Sequence, residues 1–154
     1  MLEKIKKFLK EIKQSKEFID WKEKNKDAYL ASIFYSTDLQ GDFYSPENDN
    51  LTSFTITNKV NLQEAEIFRK EKKQIKELKL DEVKIDLEKV KEIVSGILKE
   101  ETTKEIIILQ NLNVPLWNIT YITKSMNIFN IKINAISGEV IENKTENILN
   151  FKVK

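Results

Sequence analysis

The chain contains no cysteine and no histidine among its 154 residues. The first absence excludes disulfides and thiolate nucleophiles. The second removes the ordinary general base near neutral pH, and together they remove zinc sites of the usual ligand sets. Glycine and proline are scarce, at three and two, and no glycine-rich phosphate loop can be drawn. No apolar run approaches the roughly 18–20 residues needed to cross a bilayer. The N-terminus, MLEKIKKFLKEIKQSKEF, is charged at every second or third position and lacks the apolar block of a signal peptide. The expected location is therefore cytoplasmic, or extracytoplasmic if a leader or anchor preceded these residues. An excess of one charge is also missing. Lys+Arg at 26 against Asp+Glu at 25 leaves a net +1, so the bulk charge gives no reason to invoke nucleic acid, which wants a basic surface.

What remains is an ordinary folding composition. Hydrophobic residues make up 40% and charged residues 33%, values of a globular chain long enough for one core or two small units sharing one. Abundant Lys, Ile, Asn and Glu suggest an AT-rich prokaryotic genome. Residues 2–25 predict a helix, because Leu2, Ile5, Phe8/Leu9, Ile12 and Ile19 recur every three or four positions. Phe18 and Trp21 fall off that face, so Ser15 marks a break or a shift of the buried stripe. Nine Lys and five acids between Leu2 and Lys26 make the segment basic and amphipathic. Such a helix covers a sheet or lies on a membrane surface.

Ala28–Thr37, apolar on both alternating faces, predicts a central strand. DLQGDFYSPENDN, residues 38–50, reads as turns from Gly41, Pro46 and the clustered Asn and Asp. Leu51–Thr57 alternates as a strand, and Asn58-Lys59 turns it into a return strand, Val60–Arg69, that also has helix-forming composition. A charged connector, Lys70–Lys79, leads to a second helix over Asp86–Glu100, capped by Asp86 and striped by Val90, Ile93, Val94, Ile97 and Leu98. Strands then follow at Glu105–Leu112, Leu116–Thr123 and Ile128–Ala135, the last two as a hairpin. Gly138 supplies a positive φ at the next corner, and a last strand is expected at Ile148–Val153. Coarsely, helix, strand and two-strand hairpin occur twice.

The stretch from Trp117-Asn-Ile-Thr-Tyr to Phe129-Asn-Ile-Lys-Ile-Asn-Ala-Ile-Ser-Gly-Glu-Val, with the helix before it, resembles the PepSY-type repeat of peptidase propeptides. Residues 84–142 carry the resemblance, and residues 13–70 look like a degenerate copy without the tryptophan and the terminal Gly-Glu corner. The resemblance implies binding or regulation without chemistry. The expected fold class is α+β: helices packed on one face of antiparallel sheet, in tandem α-β-β-β, PepSY- or cystatin-like units at residues 1–80 and 81–154.

Several constellations invite a functional reading. Asp38, Asp42, Glu47 and Asp49 are carboxylates of the kind that hold a hard cation, but their spacing matches no calcium loop. No metal, cofactor or catalytic residue is expected from them. Trp21, Tyr44, Trp117 and Tyr121 could stack on bases, although Trp117 shares a strand face with Ile119 and Tyr121 and reads as core. Arg69–Lys79 is interrupted by acids and reads as a solvated face. Asn50, Asn118 and Asn143 open Asn-X-Thr sequons that matter only in a secreted protein. Phe43 and Tyr44, in the polar loop, are the expected exposed anchors. The neighbouring hairpin Leu51–Arg69, polar at Thr52, Thr55 and Thr57, is the expected sheet edge. A protein partner adding a strand there would contact Phe43, Tyr44, Thr52, Thr55 and Thr57. The charge on that hairpin equally serves to keep an edge unpaired. The resulting expectation is a non-catalytic protein-binding or regulatory module, with a peripheral membrane or ligand-carrying protein as the alternative.

Overall fold

A computed structural model describes residues 1–65, 67 and 75–148. The chain is α+β with antiparallel strands, and it divides into two compact units, Met1–Lys79 and Leu80–Lys154. The strand ending at Arg69, the connector from Lys70 and the strand expected over Ile148–Val153 lie wholly or partly outside the described residues.

The first unit begins with two helices, α1 (Leu2–Gln14) and α2 (Lys16–Lys24). Ser15 separates them. Its backbone is extended, and its hydroxyl accepts from Phe18 N at 3.1 Å while donating to Ile12 O at 2.6 Å. One residue thus ends α1 and caps α2. The break rotates the buried face. Ile5, Phe8, Leu9 and Ile12 are buried on α1, but on α2 burial passes to Phe18 and Ile19 stands 48% exposed. The stripe read from the sequence continued through Ile19, and the structure corrects it.

Four strands follow as an antiparallel meander: β1 (Tyr29–Tyr35), β2 (Leu39–Ser45), β3 (Asn50–Ile56) and β4 (Val60–Ala65), in hydrogen-bonded order β4-β3-β2-β1. β2 replaces the expected loop over 38–50. Its turn-like residues have tertiary uses. Gly41 lies beneath α1, where a Cβ would sit 3.3 Å from Phe8 Cε1 and 3.5 Å from Leu9 Cδ2. Asp42 bonds across to both neighbouring strands. The true turn is only residues 46–49, with Asp49 at φ 47°. On the helix-facing side, Phe18, Trp21, Phe43 and Phe54 form a ring cluster with centroids 5.1–5.9 Å apart and mostly edge-to-face. This is the geometry aromatic quadrupoles favour.

The second unit opens with a 3-10 turn, Leu80–Glu82, and α3 (Leu87–Ser95), whose N-cap is Asp86, accepting from Leu87 N at 2.7 Å. α3 ends at Gly96, before the expected Glu100, where the Ile97 and Leu98 amides close on Val94 O. Ile97 is consequently exposed. β5 (Thr102–Asn111), β6 (Pro115–Thr123), β7 (Asn127–Asn134) and β8 (Val140–Asn147) form a second antiparallel meander in that order. β8 falls on the polar stretch VIENKTEN, which carried no apolar alternation to reveal it. Among the described residues each unit therefore has four strands, where the repeating pattern read from the sequence had three.

Period-2 alternation sets the faces of this sheet. Ile107, Leu109, Trp117, Ile119, Phe129, Ile131 and Ile133 are buried on one side. Trp117 Nε1 donates to Ile85 O at 2.8 Å, and Lys91 of α3 pairs with Glu105 of β5 at 3.1 Å, so α3 lies over that side. Gly138 turns the β7–β8 corner at φ 82°, and Ile93 of α3 is half-buried near it.

Candidate functional site

The five residues expected to form a binding edge are not brought together. Phe43 is 3% exposed, inside the ring cluster beneath α2. Tyr44 points to the opposite sheet face and is 1% exposed, with its hydroxyl bonded to Asp49 and its ring 5.9 Å from Tyr29. Thr52 is buried beside Phe43, its pairing partner, whereas Thr55 is half-buried on the other face. Thr57 is exposed in the β3–β4 turn, where its hydroxyl accepts from Asn61 Nδ2 at 2.9 Å. β3 is paired on both sides, so only β4 of that hairpin borders the sheet. Expecting Phe43 and Tyr44 at the surface followed from placing them in a loop. As neighbours in a strand they face opposite sides, and each side is covered. On the side away from the helices the cover includes residues 75–79: Tyr29 Oη donates to Ile75 O, and Leu78 N donates to Leu30 O at 2.8 Å.

The carboxylates of 38–49 are likewise dispersed. At roughly 3.3 Å per residue, β2 carries Asp38 and Asp49 to its two ends. Asp42 between them accepts from Ser32, Gln40 and Ser53 at 3.0, 2.9 and 2.6 Å. Asp27 clamps the β2–β3 turn by accepting from Ser45 Oγ at 3.0 Å and Glu47 N at 2.7 Å. Among the described residues, no three acidic side chains gather into a set able to hold a metal ion.

The outer face of the second unit's strands carries a hydrogen-bonded ladder running from β5 to β8. Asn118 donates to Gln110 at 3.0 Å, Asn130 to Asn118 at 2.7 Å, and Lys132 to both Asn130 at 3.3 Å and Glu142 at 2.8 Å. Lys144 adds a second ion pair to Glu142 at 2.8 Å. These hydrogen bonds, from Lys132 first, hold the Glu142 carboxyl down to about 2, and the Glu142 carboxylate raises Lys144. Burial pushes Tyr121 well above the usual phenol range, reinforced by its hydrogen bond to Glu105. Burial likewise raises Tyr29, with Tyr44 adding to it. Each of these shifts leads away from neutral pH.

A surface cleft of about 340 Å³ runs along α2 and the end of α1, lined by Lys13, Phe18, Ile19, Lys22, Glu23 and Lys26. Phe18 forms its floor because that ring is fixed against Phe43 and Phe54. Lys22 Nζ is held by Lys26 O at 2.8 Å and Ala28 O at 2.6 Å. Sequence reading placed none of these residues in a site. The available signal was Phe18 and Trp21 falling off the α1 stripe, which puts Ile19 on the solvent side. Among the described residues, no helix is long and apolar enough to cross a membrane.

No protein-family model matches the chain, and no curated protein matches it. A solved structure does: a "putative lipoprotein" from Clostridium difficile 630, 15% identical, with a TM-score of 0.54, covering 84% of this chain and 90% of its own. At that identity the likeness shows the fold.

Proposed function

We propose that this protein is a non-catalytic protein-binding or regulatory module built from two PepSY-like units. The observation that carries the reading is how the polar side chains are engaged. The Asp42 cluster, the Asp27 clamp and the Gln110–Glu142 ladder are each closed by internal hydrogen bonds. The perturbed groups move away from pH 7, whereas catalytic acids and bases are tuned toward it. The recurrence of helix followed by antiparallel meander in both units supports the two-unit reading. The fourth strand in each unit is a departure from the three-strand repeat that the resemblance implies.

The membrane-surface alternative needs an apolar helix face free for lipid. On α1 that face, Ile5, Phe8, Leu9 and Ile12, is buried in the first unit's core. The test is capture of a partner on the immobilised protein, followed by co-sedimentation of the protein with anionic liposomes. Reproducible capture of one protein, with the module left in the supernatant of the liposomes, is the expected result. Lipid co-sedimentation without protein capture would overturn the reading.

A further inference from the structure

We propose that the cleft at the α1–α2 elbow is the docking site, and that it receives an acidic, amphipathic peptide segment of the partner. This rests on the protein-binding reading and deepens it. The cleft's volume, about 340 Å³, falls at the small end of the range for ligand sites, roughly 300–1,000 Å³. It has room for one large apolar side chain and its flanking peptide.

Its chemistry is divided as such sites usually are. Phe18 and Ile19 give an apolar floor and wall, while Lys13, Lys22 and Lys26 set three ammonium groups against the single carboxylate of Glu23. In a chain of net charge +1 this is a local concentration. Lys22 is preorganised by its two carbonyl bonds, which leave one of its three donors for a ligand. Lys13 continues an exposed stripe with Lys6 and Lys10, at four- and three-residue steps along α1. An acidic helix or strand running along α1 would meet Lys13 and Lys10 in turn, with Lys6 beyond them already paired to Glu3 at 3.6 Å, and would place its apolar residue against Ile19.

Exposure of Ile19 acquires a purpose in this arrangement. A large aliphatic side chain 48% exposed beside the rigid Phe18 ring offers contact area at little conformational cost. Charge complementarity supplies orientation and association rate, and the apolar contact supplies residence. A lipid surface fits less well, because the apolar stripe of α1, Ile5, Phe8, Leu9 and Ile12, is buried and leaves no apolar helix face to insert.

The test uses the full chain and a fluorescein-labelled peptide, acetyl-Glu-Asp-Leu-Leu-Glu-Asp-amide, read by anisotropy at low ionic strength. Its amide counterpart, with Gln and Asn replacing the acids, serves as control. Saturable binding of the acidic peptide is expected, weakened at least ten-fold in the Lys13→Glu/Lys26→Glu variant and in Ile19→Asp. Both changes lie on the surface, and unchanged thermal melts would establish that the variants are folded. Equal binding of both peptides, or unaltered binding by the folded variants, overturns the proposal. So does binding of phosphatidylglycerol vesicles in place of the peptide. If a captured partner binds the Lys13→Glu/Lys26→Glu variant as tightly as the parent, the cleft is excluded while the protein-binding reading stands.

Discussion

Gly41 shows how a single residue links helix and sheet in the first unit. It sits under α1, where a Cβ would press on Phe8 Cε1 at 3.3 Å and meet Leu9 Cδ2 at an ordinary contact distance of 3.5 Å. Gly41→Ala should destabilise the protein by about 1 kcal/mol, since overpacking outweighs the small entropic benefit of replacing glycine in a strand. A lowered denaturant midpoint at unchanged slope would confirm it, and an unchanged midpoint would mean that α1 moves aside freely. Glu142 carries the clearest pH dependence. Its folded value of about 2 lies below its ordinary 4.5 because Lys132 and Lys144 favour the carboxylate. A lowered value stabilises the folded state above pH 4.5, and that contribution is lost as pH falls from 4.5 through 2. Glu142→Gln should therefore flatten the acid limb of stability in that window. A limb as steep as the parent's would show that the ion pairs are already screened by solvent. Of these features the sequence disclosed little. Glycine in a strand and glycine in a turn look alike until the helix above it is known.

Elements were legible in proportion to their periodicity. The row Phe129, Ile131, Ile133 declared β7 and its buried face, and Ile131 is indeed fully buried. Val90 and Val94 likewise declared α3. Where tertiary contacts override local pattern, the reading failed. β2 carries Gly41, Asp42 and Ser45, all turn formers, yet each is used by a packing or hydrogen-bonding neighbour. β8 alternates charge and amide with almost no apolar residue, as a strand at a sheet border can. Two isoleucines at periodic apolar positions divide: Ile131 of β7 is enclosed on the sheet, and Ile93 of the α3 stripe is only half-buried. Ile131→Ala should cost about 2–5 kcal/mol, with Ile93→Ala clearly less. Equal losses in urea unfolding would place Ile93 deeper beneath the β7–β8 corner than its exposure indicates.

At the scale of the whole molecule, the candidate site was the least legible part. Phe43 and Tyr44 were expected outside because aromatic residues beside Asp, Ser and Pro suggest a loop. Once β2 is a strand, they become buried residues on opposite faces. The cleft was hidden for the complementary reason. Its residues belong to a helix pair whose break at Ser15 redirects the apolar face, so Ile19 reads as core but stands in solvent. On the proposed reading the molecule is a binder in which no bond is made or broken. Isothermal titration of a captured partner into the protein, with intact-mass analysis of both chains afterwards, tests that most directly. Binding heats that saturate, with both masses unchanged, are expected. Heat that continues after saturation, or a changed mass in either chain, would contradict the account and make the protein a catalyst.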